Sequence, residues 1–86
     1  MPIISALFGI VVRMYYDDHS PAHFHAEFHG ERGSFGLDGE PLSGEIRSRV
    51  ARRLIREWVV AHRRELQENW LNSSEGRPMR TIAPLE

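Results

Sequence analysis

Ile46, Val50, Leu54, Trp58, His62, Leu66 and Trp70 recur at every fourth position through the second half of the chain. No other feature limits the fold as much. Ala51, Ile55, Val59 and Ala61 widen this stripe into the apolar face of an amphipathic helix over residues 46–72. Ser43 is placed to cap the start, with Glu45 in the first turn, and Asn72-Ser73-Ser74-Glu75-Gly76 followed by Pro78 ends the helix. A straight helix of about 25 residues would be roughly 38 Å long. A compact chain of this length has a radius of gyration of only about 12 Å. The helix is therefore expected to project, to bend, or to break near His62. A strict four-residue spacing also drifts around a helix of about 3.6 residues per turn, so Ile46 and Trp70 reach different faces. Such a helix needs two packing partners or one curved surface.

The first half has the period of strands. From Phe8 to Tyr16 the chain is rich in β-branched and aromatic residues, and Phe8, Ile10, Val12, Met14 and Tyr16 fall on one face. Asp17-Asp18-His19-Ser20-Pro21 interrupts it with turn chemistry. A second strand over 22–30 alternates, with Phe24, Ala26 and Phe28 on one side and His23, His25, Glu27 and His29 on the other. Glu31-Arg32-Gly33 reads as a hairpin connection, 33–38 as a third strand carrying Phe35 and Leu37, and 80–83 as a short last strand. The predicted architecture is a single α+β domain over 1–86, with a three- to four-stranded, mostly antiparallel sheet. One long, kinked helix is expected to pack on one face of that sheet.

Composition narrows the chemistry. The 86 residues include no cysteine, so disulfides and thiolate metal sites are excluded. The opening Met1-Pro2-Ile3-Ile4 has no basic residue ahead of it, and the apolar stretch holds Ser5 and Gly9. It reads as neither a signal peptide nor a membrane span, and a cytoplasmic location is expected. The net charge of -1 conceals two unlike halves. Residues 1–45 carry two arginines against seven acids, and residues 46–86 carry nine arginines against five. All eleven basic residues are arginine, the better fork for phosphate or carboxylate.

Four of the five histidines, His19, His23, His25 and His29, lie within eleven residues. His23 and His25 share a strand face about 6.6 Å apart along the backbone. Two imidazoles at that spacing can lean onto one divalent metal such as zinc or nickel, with bonds near ~2.0–2.1 Å. His19, His23 and His25 are the candidate metal residues, with Asp18, His19, Glu27 or His62 open as the source of the third ligand. Three protein ligands and an open position describe a hydrolytic site, with Glu27 or Asp18 as general base. Histidine acid–base chemistry on a phosphodiester, without metal, is the related alternative. The competing reading is an ordinary polar sheet face. His62, on the apolar stripe, reads as a core histidine bonded to a backbone carbonyl.

The helix offers a second candidate. Arg47, Arg49, Arg52, Arg53, Arg56, Arg63 and Arg64 occupy eighteen residues with Glu57 as the one acid among them. Arg49, Arg52, Arg53 and Arg56 are the candidate binding residues, for nucleic acid or for an acidic partner protein. A solvated face pairing with Glu45, Glu57 and the acidic first half explains the same pattern. No helix-turn-helix, zinc finger or stacking motif accompanies it, so base-specific reading is not expected.

Several short stretches together resemble a prokaryotic family, Domain of Unknown Function 4160. They are Phe8-Gly9-Ile10, Met14-Tyr15-Tyr16, Asp18-His19-Ser20-Pro21-Ala22-His23-Phe24-His25-Ala26, Gly44, Glu57-Trp58, His62, Glu65-Leu66, Asn69-Trp70 and Ile82-Ala83-Pro84-Leu85. The likeness covers nearly the whole chain, and Ala22 departs from it where a second proline is expected. The resemblance implies a bacterial or archaeal protein of unestablished activity. It also implies a toxin–antitoxin setting, with a partner protein from a neighbouring gene. It supplies no catalytic residues. The family ending marks Leu85 as native and leaves Glu86 open between native residue and cloning remnant. Two function classes follow from the residues: a binding module acting through the arginine helix, with a homo-oligomer also compatible, and a metal- or histidine-dependent hydrolase using His19, His23 and His25. The binding module ranks first, because a thin domain with a projecting helix suits association better than a deep pocket.

Overall fold

A computed structural model of the chain describes residues 2–85; Glu86 lies outside the described residues. Five strands precede one helix: β1 Ile3–Leu7, β2 Ile10–Arg13, β3 His23–Phe28, β4 Glu31–Gly36, β5 Pro41–Gly44 and α1 Arg49–Ser74. The strands form one antiparallel sheet in sequence order, β1-β2-β3-β4-β5. The sheet has five strands rather than the expected three or four. The single strand expected over 7–16 is in fact a hairpin. Phe8 and Gly9, at φ 49° and 82°, make a two-residue turn between Leu7 and Ile10. His29 and Gly30, at φ 50° and 80°, make the second such turn, so Glu31-Arg32-Gly33 lies inside β4 instead of forming the connection. Positive φ at both central residues is the conformation that matches strand twist, and asparagine or glycine normally supplies it. Phenylalanine and histidine do not announce it. Phe8 is accordingly 61% exposed, off the buried face of Ile10, Val12 and Met14.

Gly44 closes the sheet edge. It sits at φ 70°, and a Cβ there would lie 2.4 Å from the Arg32 carbonyl oxygen. No side chain fits that approach. A Gly44→Ala chain is expected to lose more than ~1 kcal/mol of stability, read as a lower urea midpoint. An unchanged midpoint would contradict this contact.

The helix starts three residues later than 46. Ser48, not Ser43, is its cap: the Ser48 hydroxyl accepts from the Ala51 amide at 3.1 Å. Ser43 belongs to β5. The approach to the cap is tied down by Glu31, which accepts from the Arg47 amide and pairs with its guanidinium. At the other end Gly76 adopts φ 72°, with Arg77 N–H donating to Asn72 O at 2.8 Å and Gly76 N–H to Ser73 O at 3.4 Å. That pattern is a Schellman stop. A straight helix of 26 residues would run about 39 Å, longer than the largest 34 Å extent of the molecule. The excess is absorbed at His62, whose φ −129° and ψ 26° break the helical path.

One apolar cluster joins β1 to β4 with the helix. Ile4, Leu7, Ile10, Val12, Met14, Phe24, Ala26 and Phe35 of the first half meet Ile46, Ala51, Ile55, Trp58, Val59 and Leu66. The Phe24 ring lies edge-on to Trp58 at 5.6 Å and stacks on Phe35 at 5.7 Å. The segment after the helix forms no strand over 80–83, but it is strapped in place. Ile82 N–H donates to Ile4 O, Trp58 Nε1 donates to Ala83 O at 3.0 Å, and the Asn69 amide both donates to and accepts from the Arg80 backbone. Among the described residues, no helix is long and apolar enough to cross a membrane.

Candidate metal centre

The turn between β2 and β3 and the start of β3 bring three ligand residues to one point. Asp17, at φ 56°, donates its amide to Ser73 O at 3.3 Å, which ties the turn to the end of the helix. The next residue, Asp18, is turned inward with its side chain 15% exposed. Its Oδ2 lies 3.0 Å from His23 Nε2 and 3.4 Å from His25 Nε2. All three ligand atoms lie within 4.8 Å of one another. Period-two alternation puts both rings on one face of β3, as the sequence predicts. Their centroids are 5.0 Å apart.

The surroundings orient each ring. His23 Nδ1 donates to the Pro21 carbonyl at 2.7 Å. A carbonyl oxygen can only accept, so Nδ1 carries the proton and Nε2 is the nitrogen aimed at Asp18. The ring is packed against Trp70 at 5.4 Å and His19 at 5.2 Å. The expectation that His23 and His25 share an open outer face is therefore corrected for His23, which is only 4% exposed. Beyond the kink at His62, the end of the helix brings Trp70 to it. His25 is half-buried, with its ring edge-on to Tyr15 at 4.6 Å. Burial pushes the Asp18 carboxyl up. The His19 amide, the hydrogen bond from His25 and the nearby His23 and His19 rings outweigh this and hold it below the usual carboxylate range.

The other candidates do not converge with these three atoms. His19 reaches the far oxygen of Asp18, with Nδ1 2.9 Å from Oδ1, and its side chain is 83% exposed. Asp18, one of four alternatives for the third ligand, is the one that converges with His23 and His25. Glu27 is held by Arg13 at 2.9 Å and Arg32 at 3.4 Å. The Arg13 hydrogen bond is the main reason that its pKa is lowered. His29 stacks on Phe28 in its turn. His62 bonds the Glu65 carboxylate at 2.6 Å, not a backbone carbonyl, and its ring lies against Trp58 at 5.9 Å.

Of the candidate helix arginines, Arg52 is half-buried and donates to the Ile46 and Arg47 carbonyls at 2.6 and 3.1 Å. Arg53 pairs with Glu57 at 3.6 Å. Arg49 and Arg56 are exposed, and with Val50, Arg52 and Arg53 they line a shallow groove.

Fold and site together define an α+β domain whose five-stranded antiparallel meander and single bent helix carry a His-His-Asp cluster. The chain belongs to the family described as a domain of unknown function, DUF4160, whose model matches residues 9–71. That span contains the cluster and the helix arginines. No curated protein and no solved structure matches the chain.

Proposed function

We propose that this domain binds one divalent transition metal, zinc or nickel, through Asp18, His23 and His25. The observation that carries this reading is the aim of the His23 ring. Its Nδ1–H is committed to Pro21 O, so Nε2 is the nitrogen that faces a carboxylate oxygen 3.0 Å away. At that distance the two atoms need a positive charge between them, a proton or a metal ion. A second imidazole nitrogen, that of His25, is directed at the same oxygen. One metal ion answers all three groups at once, whereas without it each ring needs its own proton on Nε2. Spacing supports the same conclusion. Ligands bonded at ~2.0–2.1 Å around a tetrahedral metal stand about 3.3 Å apart, against 3.0 and 3.4 Å for the two nitrogen–oxygen separations. A ligating histidine held through its other nitrogen by a backbone carbonyl is a recurrent arrangement at metal sites.

Three protein ligands leave a coordination position for water or for a ligand. The site fits binding rather than hydrolysis. Glu27 is a weak base while two arginines hold it, and Asp18 would be spent as a ligand. His19 is the remaining titratable ring beside the site. The test is metal content: tag-free protein, dialysed against zinc and then against metal-free buffer at pH 7, should retain one zinc per chain. Protein that retains none would refute the reading.

A second reading rests on the basic groove of the helix. Val50 is 55% exposed among Arg49, Arg53 and Arg56, and the described residues offer no ion pair to Arg49 or Arg56. An acidic partner protein or a nucleic acid would meet an apolar spot ringed by cations. Such binding would weaken steeply with salt.

A further inference from the structure

The polar face of the sheet forms a second feature beside the cluster. Arg13, His25, Ser34 and Ser43 are successive cross-strand partners through β2, β3, β4 and β5, so they form one row across the sheet. Glu27 and Arg32 make the adjoining row. Together with Tyr15 these residues line a cleft of about 370 Å³, within the range of small-molecule sites. His25 is shared: its ring forms part of the cleft wall, and its Nε2 belongs to the cluster.

The chemistry of the cleft is that of an anion acceptor. Two guanidiniums meet a single carboxylate, Glu27, through one nitrogen each, and the described residues offer neither arginine a second acid. The remaining N–H groups of Arg32 stand free on a side chain that is 82% exposed. Ser34 and Ser43 hydroxyls bond to each other at 2.5 Å. One of their two protons makes that bond, and the other remains to be donated. The Tyr15 and His25 rings supply flat apolar surface next to these donors. Along β3, Glu27 and His25 are two residues apart on one face, about 6.6 Å. A molecule held at the arginines therefore reaches the cluster within a few bonds.

We propose that this cleft binds a small organic oxyanion, a phosphate ester or a carboxylate, held by Arg13, Arg32 and the serine pair and leading to the open position of the metal. The link to the metal rests on the function proposed above; the anion site itself does not. The experiment is an amide-shift titration of the full chain, metal-free and zinc-loaded, with phenyl phosphate in one arm and benzoate in the other. Saturable shifts are expected at Tyr15, His25, Gly33 and Ser34, with the tighter arm naming the headgroup. Zinc is expected to tighten that arm at least ~10-fold, and Arg32→Ala to weaken it at least ~10-fold in both forms. Arg32 is exposed, so this variant leaves the core intact. Shifts confined to the helix arginines, no shifts, or binding indifferent to Arg32→Ala would overturn the anion site. Binding that zinc leaves unchanged in protein shown to hold zinc would overturn the connection to the metal. Failure to retain zinc, with anion binding preserved, would refute the metal reading alone.

Discussion

A His25→Ala chain is expected to bind zinc at least ~100-fold more weakly than the parent while unfolding at nearly the same urea concentration. The two halves of this expectation come from different properties of one residue. The ring supplies one of the three converging atoms, 3.4 Å from Asp18 Oδ2, yet its side chain is 37% exposed and adds little to the core. His23→Ala should cost at least as much affinity. Its ring is buried against Trp70, however, so a loss of stability accompanies that change and His25→Ala is the cleaner variant. His19→Ala should change affinity by no more than a few-fold, because this ring touches the far oxygen of Asp18. Calorimetric titration of the three variants separates these cases. Equal affinities for the parent and His25→Ala would contradict the assignment of ligands. Affinity should also fall on acidification, because protons compete with the metal for its ligands.

Trp58→Ala is expected to be the most damaging single change to the fold, at about 3–5 kcal/mol. Trp58 is fully buried, meets Phe24 edge-on at 5.6 Å and donates Nε1–H to Ala83 O at 3.0 Å. It therefore joins helix, sheet and the closing segment in one side chain. Domains of this kind are stable by only about 5–15 kcal/mol, so the variant should be largely unfolded in mild urea. Trp58→Phe divides the effect. It keeps an aromatic ring against Phe24 but removes the donor and part of the buried indole, and is expected to cost about 1–3 kcal/mol. Urea unfolding followed by circular dichroism reads both. A Trp58→Ala midpoint within error of the parent would refute the description of the core.

Period and composition make much of this visible in the sequence alone. The four-residue stripe placed the helix to within a few residues, and its excess length required a break that falls at His62. The alternation through Phe24, Ala26, His23 and His25 placed the two imidazoles together on one face of β3. What escaped has physical reasons. The turns at Phe8-Gly9 and His29-Gly30 lack the asparagine or aspartate that signals positive φ, so the first hairpin is hidden in an apolar run and the turn of the second lies two residues before the expected Glu31-Arg32-Gly33. The fifth strand, Pro41–Gly44, is exposed at every position and leaves no hydrophobic alternation to detect. His23 looked exposed because alternation along a strand does not report what the far end of a bent helix brings to it. Asn69 carried no signal in the residue pattern alone. Its amide holds the Arg80 backbone, a contact between segments that local periodicity cannot express.

In the proposed site His23 and His25 present Nε2 to a metal shared with Asp18. Long-range proton–nitrogen NMR of the imidazole rings, recorded with and without one equivalent of zinc at pH 7, reads this arrangement ring by ring. With zinc, His23 and His25 should both appear as Nδ1–H tautomers with metal-shifted Nε2 signals, and His19, His29 and His62 should keep their metal-free signals. Rings of His23 and His25 that ignore zinc, or a response that centres on His19, His29 or His62 instead, would contradict the account.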